Sequence, residues 1–233
     1  MCLATARRDA VEMKDGGVQV QVSARTVVRL PRRGGSNKTR FTLYTFVIHV
    51  AETQTWWIVR KRYSEFRDFQ SKLMAMSKHC RGIASLQEHH DIVACVLALP
   101  FPSRNLFADT KAVKAARCAA LGNITTHLVT LRMQAQALPP VFHTKLLQRH
   151  LDTFLDVPNF HRQVELTNII SPIKPQHICT ICLETQVHGT IVALHCGHGF
   201  HQDCLLDWLS DNCTCPLCRK ASLYGVLAPL TQA

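Results

Sequence analysis

Between residues 179 and 218 the chain sets eight thiol and imidazole side chains at metal-ligand spacing. They read Cys179-x-x-Cys182, thirteen residues, Cys196-x-His198, two residues, His201, two residues, Cys204, ten residues, then Cys215-x-x-Cys218. Eight such ligands suffice for two tetrahedral Zn2+ sites, and sites closed by four protein ligands are structural, because a catalytic zinc keeps one position open for water or substrate. A segment of about 45 residues cannot bury enough apolar surface to hold a fold alone, and zinc coordination supplies the difference, on the order of 10 kcal/mol. The expected cofactors are therefore two structural Zn2+. His195 and Cys213 fall off register: the first abuts Cys196, and the second breaks the terminal Cys215-Pro216-Leu217-Cys218 pattern.

A second group of residues is basic. Arg60-Lys61-Arg62-Tyr63-Ser64-Glu65-Phe66 is followed much later by Leu99-Pro100-Phe101-Pro102-Ser103-Arg104. The whole chain carries +11, and the charge is uneven: residues 1 to 170 hold 24 Lys or Arg against 12 Asp or Glu, whereas 171 to 233 hold 3 against 4. A basic first part suits an anionic partner, which could be a membrane surface, nucleic acid or an acidic protein. Nucleic acid is not expected, since the motif has one tyrosine rather than the interleaved aromatics on which bases stack.

The elements that must position these groups follow from hydrophobic periodicity. Val18, Val20 and Val22 alternate with Gln19 and Gln21, and residues 41 to 50 and 56 to 60 are again β-branched and aromatic, which predicts three strands. Phe66, Phe69, Leu73 and Met76 recur at intervals of three or four, predicting a helix with Ser64 as N-cap. Further helices are predicted over residues 110 to 138 and 142 to 155, ending at Pro139-Pro140 in the first case. The apolar run Ile92, Val93, Val96, Leu97 and Leu99 suits either core packing or the surface of a bilayer. Strands followed by helices make an α+β fold.

With 47% hydrophobic and 18% charged residues the composition is globular. The expected organisation is a flexible tail at 1–17, a first domain at 18–157, a proline-bearing linker at 158–176, a zinc finger at 177–220 and a tail at 221–233. The longest apolar stretch, residues 92 to 102, has 11 residues and two prolines, short of the roughly 20 a spanning helix needs. The first 17 residues have no apolar core of signal-peptide length, and Cys2, Cys80, Cys95, Cys118 and Cys213 are scattered as free thiols would be, so a cytoplasmic location is expected.

The zinc segment resembles the RING family in its variant with two central histidines, a family whose members mostly bind a ubiquitin-conjugating enzyme and promote ubiquitin transfer. The resemblance implies a cross-braced fold in which Cys179, Cys182, His201 and Cys204 hold one ion and Cys196, His198, Cys215 and Cys218 the other. It also implies that Ile181, Trp208, Pro216 and Leu217 form the conjugating-enzyme groove, and that Arg219 positions ubiquitin without covalent chemistry. Residues 18 to 157 resemble the PX family of phosphoinositide-binding modules, a three-stranded antiparallel sheet with a helical subdomain. There the matching positions are Arg62, Tyr63, Arg104 and Arg117, with Arg104 standing where lysine is common. Together the two resemblances imply a RING-type ubiquitin-protein transferase, peripheral on endosomal or other phosphoinositide-bearing membranes, with phosphatidylinositol 3-phosphate as the expected lipid. The competing reading is a membrane adaptor that uses both parts only for binding.

Overall fold

The structure is a computed structural model and describes residues 11–15, 17–29, 39–104, 109–158, 178–185, 191–194, 196–212 and 214–228. His195 and Cys213 lie outside the described residues, as does the predicted linker except for its first residue. By internal contacts the chain divides into two units: Met1–Phe46 with Val59–Asp156, and Val47–Ile58 with Val157–Ala233.

Strands β1 (Val11–Asp15), β2 (Val18–Arg29), β3 (Thr39–Val50) and β4 (Thr55–Arg62) follow in the order β1-β2-β3-β4, and the unit boundaries fall within β3, after Phe46, and within β4, after Ile58. β1 adds a strand to the three that alternation predicts. It pairs antiparallel with β2, from Val11 opposite Val22 to Asp15 opposite Val18, so residues 11 to 15 are not a tail. Its sequence Val-Glu-Met-Lys-Asp hid it, because short, charged strands are what sheet edges use and they read as polar loop. β2 turns Val18, Val20 and Val22 inward, and β3 does the same with Tyr44 and Phe46, the two-residue period of a sheet with one buried face.

Helix α1 (Tyr63–Cys80) buries Phe66, Phe69 and Leu73 along one stripe. It starts one residue before Ser64, with Arg62 at the N-cap rather than Ser64, because Glu65 reaches back to accept the Arg62 backbone N–H at 2.8 Å. α2 (Gln87–Leu97) buries Val93 and Val96, so the apolar run beginning at Ile92 turns a face to the core. α3 (Lys111–Ala137) is capped by Thr110, whose hydroxyl accepts the Val113 N–H, and α4 (Phe142–Phe154) places Leu147, Leu151 and Phe154 inside. Phe154 stacks on Phe69 at 4.0 Å and meets the edge of Phe66 at 5.0 Å, and Phe66 in turn lies 5.2 Å from Phe46. This aromatic seam fixes α1 between sheet and α4, and so fixes the direction in which the N-terminus of α1 points.

The second unit is built on β5 (Ile191–Leu194), β6 (Gly199–His201), α5 (Gln202–Asp211) and β7 (Tyr224–Ala228), with Thr55–Trp57 as a further strand; the order is β4-β7-β5-β6. Its core gathers Trp56, Ile58, Val192, Leu194, Phe200, Leu205 and Leu209 around Cys179 and Cys215. Gly225 faces Trp56 across the β7 pairing, and a Cβ there would collide with the Ala193 carbonyl oxygen and come 2.8 Å from Trp56 Nε1. Only glycine lets the two strands approach this closely.

Candidate functional site

Two clusters of potential metal ligands stand in the second unit. The ligand atoms of Cys179, Cys182, His201 and Cys204 lie within 4.8 Å of one another, and so do those of Cys196, His198, Cys215 and Cys218. His201 Nδ1 is 3.3 Å from Cys182 Sγ and 4.0 Å from Cys204 Sγ; His198 Nδ1 is 3.4 Å from Cys196 Sγ and 3.6 Å from Cys215 Sγ. A tetrahedral Zn2+ with its usual Zn–S and Zn–N lengths spaces sulfur and nitrogen at roughly 3.5 Å, so both cages fit the ion.

Local backbone geometry builds each cage the same way. In both Cys-x-x-Cys loops the residue after the second cysteine adopts a left-handed conformation, Leu183 at φ 63° and Arg219 at φ 57°. Its N–H returns to the first cysteine's carbonyl, Leu183 to Cys179 at 2.7 Å and Arg219 to Cys215 at 3.0 Å. The first cysteine's own N–H then bonds one residue further on, at Glu184 and at Lys220. These bonds close a tight knuckle that aims two sulfurs at one point. Gly197, at φ 85°, supplies the corresponding bend between Cys196 and His198.

Around the cages, Ile181 and Trp208 pack half-buried against the core, Pro216 is half-buried, and Leu217 keeps 50% of its surface exposed. Trp208 is held by its indole N–H, which donates to the Thr214 carbonyl at 2.8 Å. Arg219 is exposed.

In the first unit, Arg62, Tyr63, Arg104 and Arg117 all line one pocket of about 510 Å3, together with Thr26, Arg40, Phe41, Thr42, Arg67 and Asp109. The sheet supplies Arg40 to Thr42, the N-terminus of α1 supplies Tyr63, and α3 supplies Arg117. Tyr63 is fixed by its hydroxyl, which donates to the Pro102 carbonyl at 2.7 Å, and Arg117 lies over its ring at 4.1 Å. Arg117 is only 5% exposed, and its charge is matched by Asp109 at 2.8 Å; a buried guanidinium without such a partner would be costly. Thr42 donates to the other Asp109 oxygen at 2.7 Å. Arg62 keeps half of its side chain exposed and meets Glu65 at 3.6 Å. Next to Arg117, burial pushes the Cys118 thiol up to about 11, so it is a neutral neighbour of the pocket.

Sequence reasoning missed Thr42, Asp109, Arg40 and Arg67 here. An acidic residue within a basic motif reads as a solvated charge, and only its pairing with Arg117 gives it a role. In the second unit it missed Trp56 and Ile58, which lie more than a hundred residues from the cysteines they pack beside.

With this geometry in hand, comparison with known proteins finds two domain patterns along the chain. The PX domain pattern matches residues 49–150 and the Ring finger domain pattern residues 177–219. The chain carries a PX domain followed by a RING-H2 zinc finger. It is similar to RING-H2 finger protein ATL57 of Arabidopsis thaliana, 50% identical over 49 residues that make up 20% of this chain and 21% of that protein. It is also similar to the E3 ubiquitin-protein ligases RNF181 of Mus musculus, 42% identical over 52 residues (22% of this chain, 32% of that one), and RNF6 of Mus musculus, 45% over 47 residues (20% and 7%). The match thus spans a third or less of each relative, in the zinc finger. No solved structure matches. Among the described residues, no helix is long and apolar enough to cross a membrane.

Proposed function

We propose that this chain is a RING-type E3 ubiquitin-protein transferase, recruited to cytosolic membrane surfaces by phosphoinositide binding in its PX domain. The observation that carries the ligase half is the pair of four-ligand cages, with half-buried Ile181 and Pro216 and exposed Leu217 in their Cys-x-x-Cys loops and half-buried Trp208 on α5. An aromatic anchor in an apolar groove is what a conjugating enzyme's loops can fill. The relatives named as ubiquitin ligases support the same reading. Arg219, exposed beside the second cage, offers five fixed donors to hold the thioester-linked ubiquitin for attack, which is catalysis by orientation. The reacting cysteine belongs to the conjugating enzyme.

For the lipid half, the convergence of Arg62, Tyr63, Arg104 and Arg117 on one pocket supports a phosphorylated inositol headgroup. Guanidinium forks bind phosphate oxygens in pairs, and the tyrosine face packs the ring. Phosphatidylinositol 3-phosphate is the lipid proposed, which would place the ligase on endosomal membranes.

An autoubiquitination assay tests the first half. Ile181→Ala and Arg219→Ala should each lose most activity while retaining zinc, and full activity in both would remove the groove. Vesicle pelleting tests the second: Arg62→Ala should reduce phosphoinositide-dependent binding about tenfold or more, the weight of one charge-assisted hydrogen-bonded pair.

A further inference from the structure

An aspartate inside a pocket for an anion needs a reason. Asp109 lines the basic pocket with 15% of its side chain exposed, and both of its oxygens are engaged, one by Arg117 Nη1 at 2.8 Å and one by Thr42 Oγ1 at 2.7 Å. Arg117 is in addition bonded through Nη2 to the Ser103 carbonyl at 3.3 Å and stacked over Tyr63. The end of the pocket formed by Arg117 is therefore electrically balanced. Arg40, Arg62, Arg67 and Arg104 are exposed where they line the same pocket, against one exposed acid, Asp68, and it is there that cationic charge is in excess.

We propose that Asp109 is a specificity-determining residue that limits the headgroup to one phosphate on the inositol ring, by accepting hydrogen bonds from ring hydroxyls at the Arg117 end and repelling a second phosphate there. This rests on the phosphoinositide reading above. A carboxylate only accepts hydrogen bonds, and a ring hydroxyl can donate one. A phosphate carries between one and two negative charges and, as the dianion, offers acceptors alone. Placed against Asp109 in a partly desolvated pocket it meets a like charge and an unmatched acceptor, and such juxtapositions are a strong means of rejection. Pairing with the buried Arg117 accounts for a charge at this position, and the same carboxylate lines the pocket, where it also meets whatever the pocket holds.

The test uses the full zinc-loaded chain and phosphatidylcholine vesicles containing equal mole fractions of phosphatidylinositol 3-phosphate or of phosphatidylinositol 3,5-bisphosphate. Wild type binds the monophosphate at least as tightly, although the bisphosphate surface carries more charge. Asp109→Asn raises the ratio of bisphosphate to monophosphate affinity about tenfold. Thr42→Val, which removes a hydrogen bond but keeps the carboxylate, shifts that ratio less than Asp109→Asn does. A readout without any variant comes from soluble headgroups: inositol 1,3-bisphosphate displaces the protein from monophosphate vesicles better than inositol 1,3,5-trisphosphate. The proposal is overturned if the trisphosphate competes better, if Asp109→Asn shifts both lipids equally, or if Thr42→Val moves the ratio as far as Asp109→Asn does. Wild type showing no phosphoinositide dependence, with Arg62→Ala indistinguishable from it, would remove the lipid reading itself.

Discussion

The two units reach their sites by opposite routes. In the zinc unit the functional geometry is local: all eight ligands fall within one 40-residue stretch, and each Cys-x-x-Cys loop folds by hydrogen bonds that span only four or five residues. In the basic-pocket unit the side chains come from Arg40 on β3, Tyr63 on α1 and Arg117 on α3, brought together only by the packing of helices on a sheet. A locally written site depends on an ion for its stability; a dispersed one depends on an apolar core such as the Phe46, Phe66, Phe69 and Phe154 seam.

The largest effect should come from breaking the ion dependence. Of the three tryptophans, Trp56 and Trp208 pack in the core of the zinc unit and Trp57 falls in that unit's span of the chain, so their emission reports on it. Chelation, or Cys215→Ser at a fully buried ligand, should shift the emission to that of exposed indole and release zinc, since the lost coordination is on the order of 10 kcal/mol. Native emission after complete removal of zinc would erase the contrast between the units.

That contrast also governs what could be read from the residues. The cages were legible because metal-ligand spacing is a one-dimensional signal, and Phe66, Phe69 and Leu73 were legible because helical period is another. Trp56 opposite Gly225 was not, since strand pairing across such a sequence distance leaves no local trace. β1 was hidden by Glu12, Lys14 and Asp15, and Asp109 by a role that exists only once α3 has brought Arg117 beside it.

A smaller effect distinguishes the basic-pocket unit. His89 on α2 is 6% exposed, and its Nε2 is hydrogen-bonded to Thr144 Oγ1. The Thr144 proton is already given to the Pro139 carbonyl, so His89 must donate from Nε2, and its buried Nδ1 has no partner among the described residues. Burial first, and the neighbouring His143 second, lower its pKa from 6.5, with Glu88 acting weakly the other way. The unfolded chain therefore takes up this proton at a higher pH than the folded one. Stability is unaffected well above pH 6.5 and falls as the pH drops below it, by at most about 1.4 kcal/mol per pH unit, until the lowered folded-state value is reached. Urea unfolding at stepped pH should show this slope, and His89→Gln should flatten it; an unchanged slope in the variant would assign the acid sensitivity elsewhere.

The smallest effect compares the two knuckles with each other. Leu183 and Arg219 occupy equivalent left-handed positions, at φ 63° and φ 57°, where an L residue with a Cβ costs roughly 1 to 2 kcal/mol and glycine costs nothing sterically. Leu183 is 76% exposed, so little packing is lost with its side chain. Leu183→Gly should therefore stabilise the zinc unit, by about 1 kcal/mol or less after the added freedom of the unfolded glycine is deducted. Arg219→Gly should stabilise it by a similar amount and yet lose ubiquitin transfer, because at that knuckle the strained backbone carries the side chain proposed to hold ubiquitin. Chemical denaturation followed by tryptophan emission measures both variants. A loss of stability in Leu183→Gly would mean that the exposed leucine contributes more to its knuckle than the backbone strain takes away, and the two loops would no longer be mechanical equivalents.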